Sequence, residues 1–153
     1  MHIKRLTLQD YAPVIPLFNN YRVFYKQSSD IKLAEDFIRC RLENNESVIF
    51  LALQDDGSQP VAAGFTQLYP LISSVRAKRN WLLNDLYVDK AFRRQGIGEA
   101  LIRAAMDFAR ADGASFVKLE TAVDNFTAQS LYEAVGFEKI PPGSSFLTYQ
   151  IPL

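Results

Sequence analysis

The spacing of apolar residues changes period several times along the chain, and each change marks an element. Ile3 to Leu6, followed by Thr7, fits a short first strand. Val14, Leu17, Phe18, Tyr21, Phe24 and Tyr25 then recur at steps of three and four, which puts them on one helical face. That helix is expected to start near Thr7 or Asp10, with Pro13 and Pro16 tolerated only close to its beginning. A second helix fits residues 30–43, with Leu33, Phe37, Ile38 and Leu42 on one face. Residues 47–53 and 61–71 read as strands, and the turn-forming Asp55-Asp56-Gly57-Ser58 between them predicts an antiparallel hairpin. A strand is expected at 81–88 and a helix through Ile97, Leu101, Ala105 and Phe108, ending before Gly113. A strand at 116–121 and a short helix at 127–135 follow, with Gly136 well suited to its C-cap. Strands at 137–140 and 146–151, joined by Pro141-Pro142-Gly143-Ser144-Ser145, complete the pattern. The order β-α-α-β-β-β-α-β-α-β-β predicts an α/β layer protein on a mixed, largely antiparallel sheet.

Composition narrows the class. The chain has 153 residues, the length of one domain, and shows neither an internal repeat nor a Gly/Ser/Pro-rich linker, so 1–153 is expected to be a single domain. Hydrophobic residues make up 48% and charged residues 22%, as in ordinary globular proteins. Lys plus Arg number 17 and Asp plus Glu also 17, which speaks against a protein held on nucleic acid or an anionic membrane by overall charge. The longest apolar run, Val48-Ile49-Phe50-Leu51-Ala52-Leu53, is far short of a membrane span, and no signal-like stretch follows the basic start. The one cysteine, Cys40, cannot form an internal disulfide, so a soluble protein of the reducing cytoplasm is expected. Cys40 lies between Arg39 and Arg41, and His2 is the single histidine, so neither a cysteine nucleophile nor a zinc site is expected.

The neutral total hides an uneven distribution. No Lys or Arg occurs in residues 42–75, whereas Arg76, Lys78, Arg79, Lys90, Arg93 and Arg94 crowd into 76–94 against only Asp85 and Asp89. This basic block runs into Arg93-Arg94-Gln95-Gly96-Ile97-Gly98, a loop that opens a helix. Amides at a helix N-terminus attract anions, and glycines let a phosphate come close to the backbone. The loop is neither a Walker sequence nor a Rossmann fingerprint, since Leu101 stands where the latter needs its third glycine.

The segment Val88-Asp89-Lys90-Ala91-Phe92-Arg93-Arg94-Gln95-Gly96-Ile97-Gly98 resembles the pyrophosphate loop of the GNAT superfamily of N-acetyltransferases, Arg/Gln-x-x-Gly-x-Gly/Ala. A second element at the right distance resembles the same family: Asn125, Ala128, Tyr132 and Gly136-Phe137 fill Asn-x-x-Ala-x-x-x-Tyr-x-x-x-Gly-Phe. The element order agrees over nearly the whole chain. The pattern looks closest to bacterial, histone-acetyltransferase-like members, with a twisted sheet of about seven strands and about four helices. Lys90 departs from the proline common in the family's turn, with some expected loss of turn rigidity.

The resemblance implies acetyl-CoA as cosubstrate and acetyl transfer to an amine by direct attack in a ternary complex. It implies that backbone amides from Arg94 through Gln95, Gly96, Ile97 and Gly98 to Glu99, beside Arg93, hold the pyrophosphate. Leu86, Tyr87 and Val88 would pair with the pantetheine arm like an added strand, one amide serving as oxyanion donor. Asn125 and Ala128 belong to the same cofactor-binding pattern, and Tyr132 corresponds to the family's general acid, a phenol protonated at neutral pH. The base that deprotonates the ammonium could be Asp85 or Glu120, directly or through water, each lying in an otherwise apolar stretch. Diamine acetyltransferases of the superfamily tend to carry two adjacent acids where this chain has Asn84-Asp85, which weakens a polyamine reading. Tyr21 and Tyr25 are candidates for the acceptor wall, Tyr69 and Trp81 have less support, and Phe24 is expected to pack in the core. A small-molecule primary amine is the expected acceptor. A protein lysine or N-terminal acceptor, and a non-catalytic acetyl-CoA-binding module, remain open alternatives. Relatives make a homodimer the expected assembly.

Overall fold

Residues 48 to 52 of strand β2 (Val48–Asp55) are all buried, and successive side chains of a strand point to opposite faces, so both faces must be covered. In the computed structural model, which describes residues 1–143 and 146–153, the cover comes from helices on both sides. On one face, Ile49 and Leu51 join Phe65, Val14, Ile15, Leu17, Phe18, Ala34 and Ile38 in one apolar cluster. These last residues come from α1 (Val14–Phe24) and α2 (Ile31–Glu43). On the other face lies α3 (Ile97–Ala111), whose Phe108 meets Phe50 and Trp81 at centroid distances of 6.0 and 5.0 Å.

The remaining strands are β1 (His2–Arg5), β3 (Pro60–Ser73), β4 (Lys78–Val88) and β5 (Val117–Lys118). They form a five-stranded sheet in the order β1-β2-β3-β4-β5. The first three pairings are antiparallel and β4–β5 is parallel, giving the mixed, largely antiparallel sheet expected. The β2–β3 turn is held as its composition predicts: Asp56 Oδ1 accepts from the Ser58 and Gln59 amides. His2 pairs with Leu53 and so belongs to the sheet edge rather than a loose terminus.

Several boundaries differ from expectation. The first helix starts at Val14 rather than at Thr7 or Asp10. Asp10 is committed to a local turn, where its carboxylate accepts from the Thr7 amide and pairs with Lys4. Pro13 occupies the N-cap and Pro16 the first turn, where a missing N–H leaves no helical bond unmade. In α2, Asp30 caps the helix by accepting from the Leu33 amide, and Leu33 itself is 48% exposed. The inward stripe is Ala34 and Ile38, with Phe37 and Leu42 packed partly against the core.

Among the described residues, neither 137–140 nor 146–151 forms a strand, and Ser144 and Ser145 of the expected connection lie outside the described residues. The sheet therefore has five strands rather than about seven. Alternating apolar residues supply a side-chain pattern, but a strand also needs a neighbouring backbone to bond.

The chain divides into two compact units, Met1–Glu120 and Thr121–Leu153. The first holds the sheet and three helices. In the second, α4 (Phe126–Val135) starts at Asn125, whose Oδ1 accepts from the Ala128 amide. It stops at Gly136, which takes a left-handed φ of 115°, and the Phe137 amide then bonds the Tyr132 carbonyl at 3.0 Å. That is the glycine-terminated helix end the sequence predicted. No helix among the described residues is long and apolar enough to cross a membrane.

Candidate active site

β3 and β4 run in register until a bulge. Gln67 pairs with Asp85, but the next residue, Leu68, pairs with Leu83, so Asn84 is an extra residue on β4. Thr66 secures the irregularity by donating its hydroxyl to the Asp85 carbonyl at 2.8 Å. The extra residue puts Asp85 on the same face as Phe65, Gln67 and Tyr87, the face that carries α1 and α2.

Asp85 is only 4% exposed, yet among the described residues no lysine or arginine pairs with it. Its carboxylate is held by neutral donors, Gln67 Nε2 on Oδ2 and Asn84 Nδ2 on Oδ1 at 2.9 Å, and the Tyr21 hydroxyl also interacts with it. Burial raises its pKa above the ordinary carboxylate range, and the bonds from Gln67, Tyr21 and Asn84 pull it partly back. The carboxylate acts on its neighbours in turn. Burial, then the Asp85 charge, raises the Tyr21 pKa far above the ordinary phenol value, and Tyr69 is pushed up to about 12 by burial and the same charge. Both phenols are therefore neutral hydroxyls at physiological pH.

Aromatic rings gather around Tyr21, which interacts with this carboxylate. Tyr21 meets Tyr25, Phe65 and Tyr87 edge-on, at centroid distances of 5.0, 5.7 and 6.3 Å. Phe24, expected in the core, is 59% exposed, because α1 ends there and only its inner face is covered. Its ring instead lies 6.0 Å from the Arg93 guanidinium, which is also 5.8 Å from the Tyr87 ring. Arg93 Nε donates to the Val88 carbonyl at 2.9 Å, tying the loop to the end of β4.

The loop itself is exposed from Arg93 to Gly96. Arg94 and Gly96 take left-handed φ angles of 62° and 78°. Helix α3 starts at Gly96 with no side-chain cap, so its first-turn amides are free to meet an anion. The acid of that turn, Glu99, is paired with Arg103 at 2.7 Å, which leaves the helix end electropositive. Lys90 begins a single 3-10 turn (Lys90–Phe92) that Asp89 caps by accepting from the Ala91 amide. That cap supplies rigidity where proline is missing.

Two features fit an extended ligand along β4. Its pairing with β5 stops at Leu82, so from Leu83 to Val88 that edge has no strand partner among the described residues. On the other side Gly64 lies so close that a Cβ there would be 2.8 Å from the Tyr87 carbonyl oxygen.

The expected site residues fare differently. Asp85, Tyr21, Tyr25, Tyr69 and Tyr87 form one cluster, continuous through Val88 and Arg93 with the glycine loop. Glu120 lies past the end of β5 with its side chain 83% exposed, 3.9 Å from Lys118, so the burial argument for it fails. A two-residue strand is too short to enclose its flanks. Trp81 belongs to the opposite face, against Phe108, with its indole N–H on Asp112. Cys40 contacts Arg41 and Asn44. Asn125, Ala128 and Tyr132 belong to the second unit, where Asn125 and Ala128 share the cap bond and the Tyr132 ring packs 5.9 Å from Phe137. Sequence reasoning missed Gln67 and Gly64. A polar glutamine and a glycine within an apolar strand were the available signals, since neither suits a strand interior without a reason.

The model of the acetyltransferase (GNAT) family matches residues 14–137. An uncharacterized N-acetyltransferase of Bacillus subtilis (strain 168), YhfO, is 47% identical over 139 residues, which is 91% of either chain. A probable acetyltransferase of Haemophilus influenzae is 31% identical over 128 residues, 84% of either chain. A crystal structure of a probable acetyltransferase superimposes with a TM-score of 0.86 at 39% identity, covering 100% of this chain and 98% of the other. The fold is shared more distantly with an aminoglycoside acetyltransferase, meta-AAC0020, at a TM-score of 0.78 and 22% identity. This chain belongs to the GNAT family of acetyltransferases.

Proposed function

We propose that the protein transfers the acetyl group of acetyl-CoA to a primary amine of a small molecule, by direct attack of the amine on the thioester. The observation that carries this reading is the enclosed Asp85 carboxylate, held by neutral donors among aromatic rings on the strand that leads into the glycine loop. A cationic amine is attracted both by the carboxylate and by ring faces. Only a narrow group can reach an acid so little exposed, which favours a primary ammonium.

Acetyl-CoA, when bound, supplies the acyl group as an activated thioester. The residues that fit it are the exposed loop Arg93, Arg94, Gln95 and Gly96 and the first-turn amides of Ile97, Gly98 and Glu99 for the pyrophosphate. The open edge of Leu86, Tyr87 and Val88 suits the pantetheine arm; Asn125 and Ala128 are included on the family's sequence pattern alone. Asp85 takes a proton from the acceptor ammonium, directly or through water, leaving a lone pair for attack. A pKa raised by burial suits a base working near neutral pH. Tyr132 is assigned the opposite role, giving its phenol proton to the departing thiolate. Tyr21 and Tyr25 line the acceptor side. Glu120, being exposed, is the weaker choice of base.

The test is steady-state release of free thiol from acetyl-CoA with a panel of alkylamines, amino acids and lysine peptides, confirmed by product mass. Turnover is expected with small primary amines. Turnover confined to peptides would move the assignment to a protein acceptor. Stabilisation by acetyl-CoA without thiol release from any member would replace the enzyme with a binding module.

A further inference from the structure

Gln67 reaches the Asp85 carboxylate from the neighbouring strand as a neutral side chain, and it is itself 0% exposed. It stands between Ile49 of β2 and Asp85 of β4, so both its neighbours in the sheet are fixed. Its Nε2 donates to Asp85 Oδ2, while its Oε1 is buried without a partner among the described residues. A buried acceptor left unpaired is costly, and an aliphatic residue of the same size would avoid that cost. What an aliphatic residue could not do is answer the carboxyl. Glutamine carries a donor and an acceptor on one planar group of nearly symmetric shape, so a half-turn of the amide exchanges them without changing its volume.

We propose that Gln67 is a positioning residue for Asp85, holding the carboxyl in one orientation in both protonation states. It donates through Nε2 to the carboxylate and, after a half-turn of the amide, accepts through Oε1 from the carboxylic acid. A base gains and loses a proton in every turnover, so a partner of fixed polarity would fit only half of the cycle. A lysine or arginine here would favour the ionised form alone and depress the basicity that the reaction needs. The inference rests on the reading of Asp85 as the base. Its electrostatic side agrees, since the bond from Gln67 is the largest of the effects that lower the Asp85 pKa against burial. The other titratable groups of this cluster are the Tyr21 and Tyr25 phenols of α1 and its end, the Tyr69 phenol of β3 and the Tyr87 phenol of β4. Tyr25 acts on Tyr21, and Arg41 and Glu46 act on Tyr69.

The experiment compares pH profiles of kcat/KM for wild type, Gln67→Met, Gln67→Glu and Asp85→Asn, using acetyl-CoA and the amine with the highest turnover in the panel. The bond donated to the charged carboxylate is stronger than the bond accepted from the neutral acid. Gln67→Met, close in shape but lacking both donor and acceptor, should therefore move the acidic limb upward by about one pH unit, with a roughly tenfold loss below the limb. Activity should recover at high pH, and affinity for coenzyme A should be unchanged. Gln67→Glu, which sets a second carboxyl against the first, should move the limb further in the same direction. A limb unmoved in Gln67→Met overturns the proposal, whether or not the rate falls uniformly. If Asp85→Asn retains the wild-type limb, the base reading itself fails, a different result. In the unmodified protein, the side-chain amide resonances of Gln67 should titrate with the midpoint of the limb. Resonances flat across that range also overturn the proposal, even if neither Gln67 variant folds.

Discussion

Gln67 and Asp85 face one another across β3 and β4 because Asn84 is extruded between Asp85 and Leu83. Strict alternation from Leu83, which shares the α3 face with Trp81, would have put Asn84 on the α1/α2 face and Asp85 on the α3 face. One inserted residue therefore decides which of two adjacent polar side chains sits under α1, among Tyr21, Phe65 and Tyr87. The carboxyl is there at a cost, since it is buried with no cationic partner among the described residues.

That cost gives Asp85→Asn a stability signature alongside its kinetic one. The folded-state pKa is raised above the ordinary 3.8, so as pH rises the unfolded chain releases this proton first. Folded-state stability then falls until the folded pKa is passed, and below 3.8, with both states protonated, the effect vanishes. The melting temperature of Asp85→Asn relative to wild type should accordingly increase as pH rises from about 4 to 7. The same variant should lose kcat/KM at neutral pH and recover partly at high pH, where free amine is abundant. A melting difference independent of pH would show that the carboxyl is not held protonated by the fold.

Gly64→Ala tests the close approach of β3 to the end of β4. Its new methyl would lie 2.8 Å from the Tyr87 carbonyl oxygen and 3.3 Å from Val88 Cα. Both are backbone atoms, so the strand that should hold the pantetheine arm must move. Overpacking of this kind costs about 1–3 kcal/mol. The expected outcome is a lower melting temperature together with a raised KM for acetyl-CoA. Loss of stability with an unchanged KM would separate this strand end from cofactor binding.

Asp112, just past α3, accepts from Arg79 Nε and from Trp81 Nε1, each at 2.9 Å. The bonds from Arg79, then Trp81, lower its pKa. The stabilisation is thus present above 3.8 and lost as pH falls through the lower folded value. Asp112→Ala also leaves the buried Trp81 indole N–H unpaired, at a cost of about 1–3 kcal/mol. A drop of several degrees in melting temperature at pH 7 is expected, shrinking as pH falls below 3.8. Kinetic constants should be unaffected, because this cluster lies on the α3 face of the sheet.

For Tyr132→Phe, kcat should fall by roughly 10²–10⁴-fold, the usual span for a general acid, with little change in coenzyme A affinity. The loss should be smaller with an acyl donor whose leaving group needs no proton, such as a p-nitrophenyl ester. Equal loss with both donors would make Tyr132 a positioning residue.

Much of this protein is legible in its sequence. The period change from 47–53 to 97–108, the turn at Asp56-Gly57 and the stop at Gly136 are local effects, set by backbone preferences and nearest neighbours. They survive in the structure almost residue for residue. Phe24 and Leu33 are exposed despite their helical spacing, because that spacing defines a stripe without saying how wide its covered part is. The segments 137–140 and 146–151 carry strand-like patterns but do not pair among the described residues.

The sequence alone determined the helices, the hairpin, the basic glycine loop before α3 and the membership of an acetyltransferase family. All of these depend on residues close together in the chain. Tertiary structure decided that Asp85 is enclosed and Glu120 exposed, that Gln67 meets the carboxyl, and that Gly64 makes room for Tyr87. Each of these depends on strand register, and a single bulge resets register in a way no local preference records.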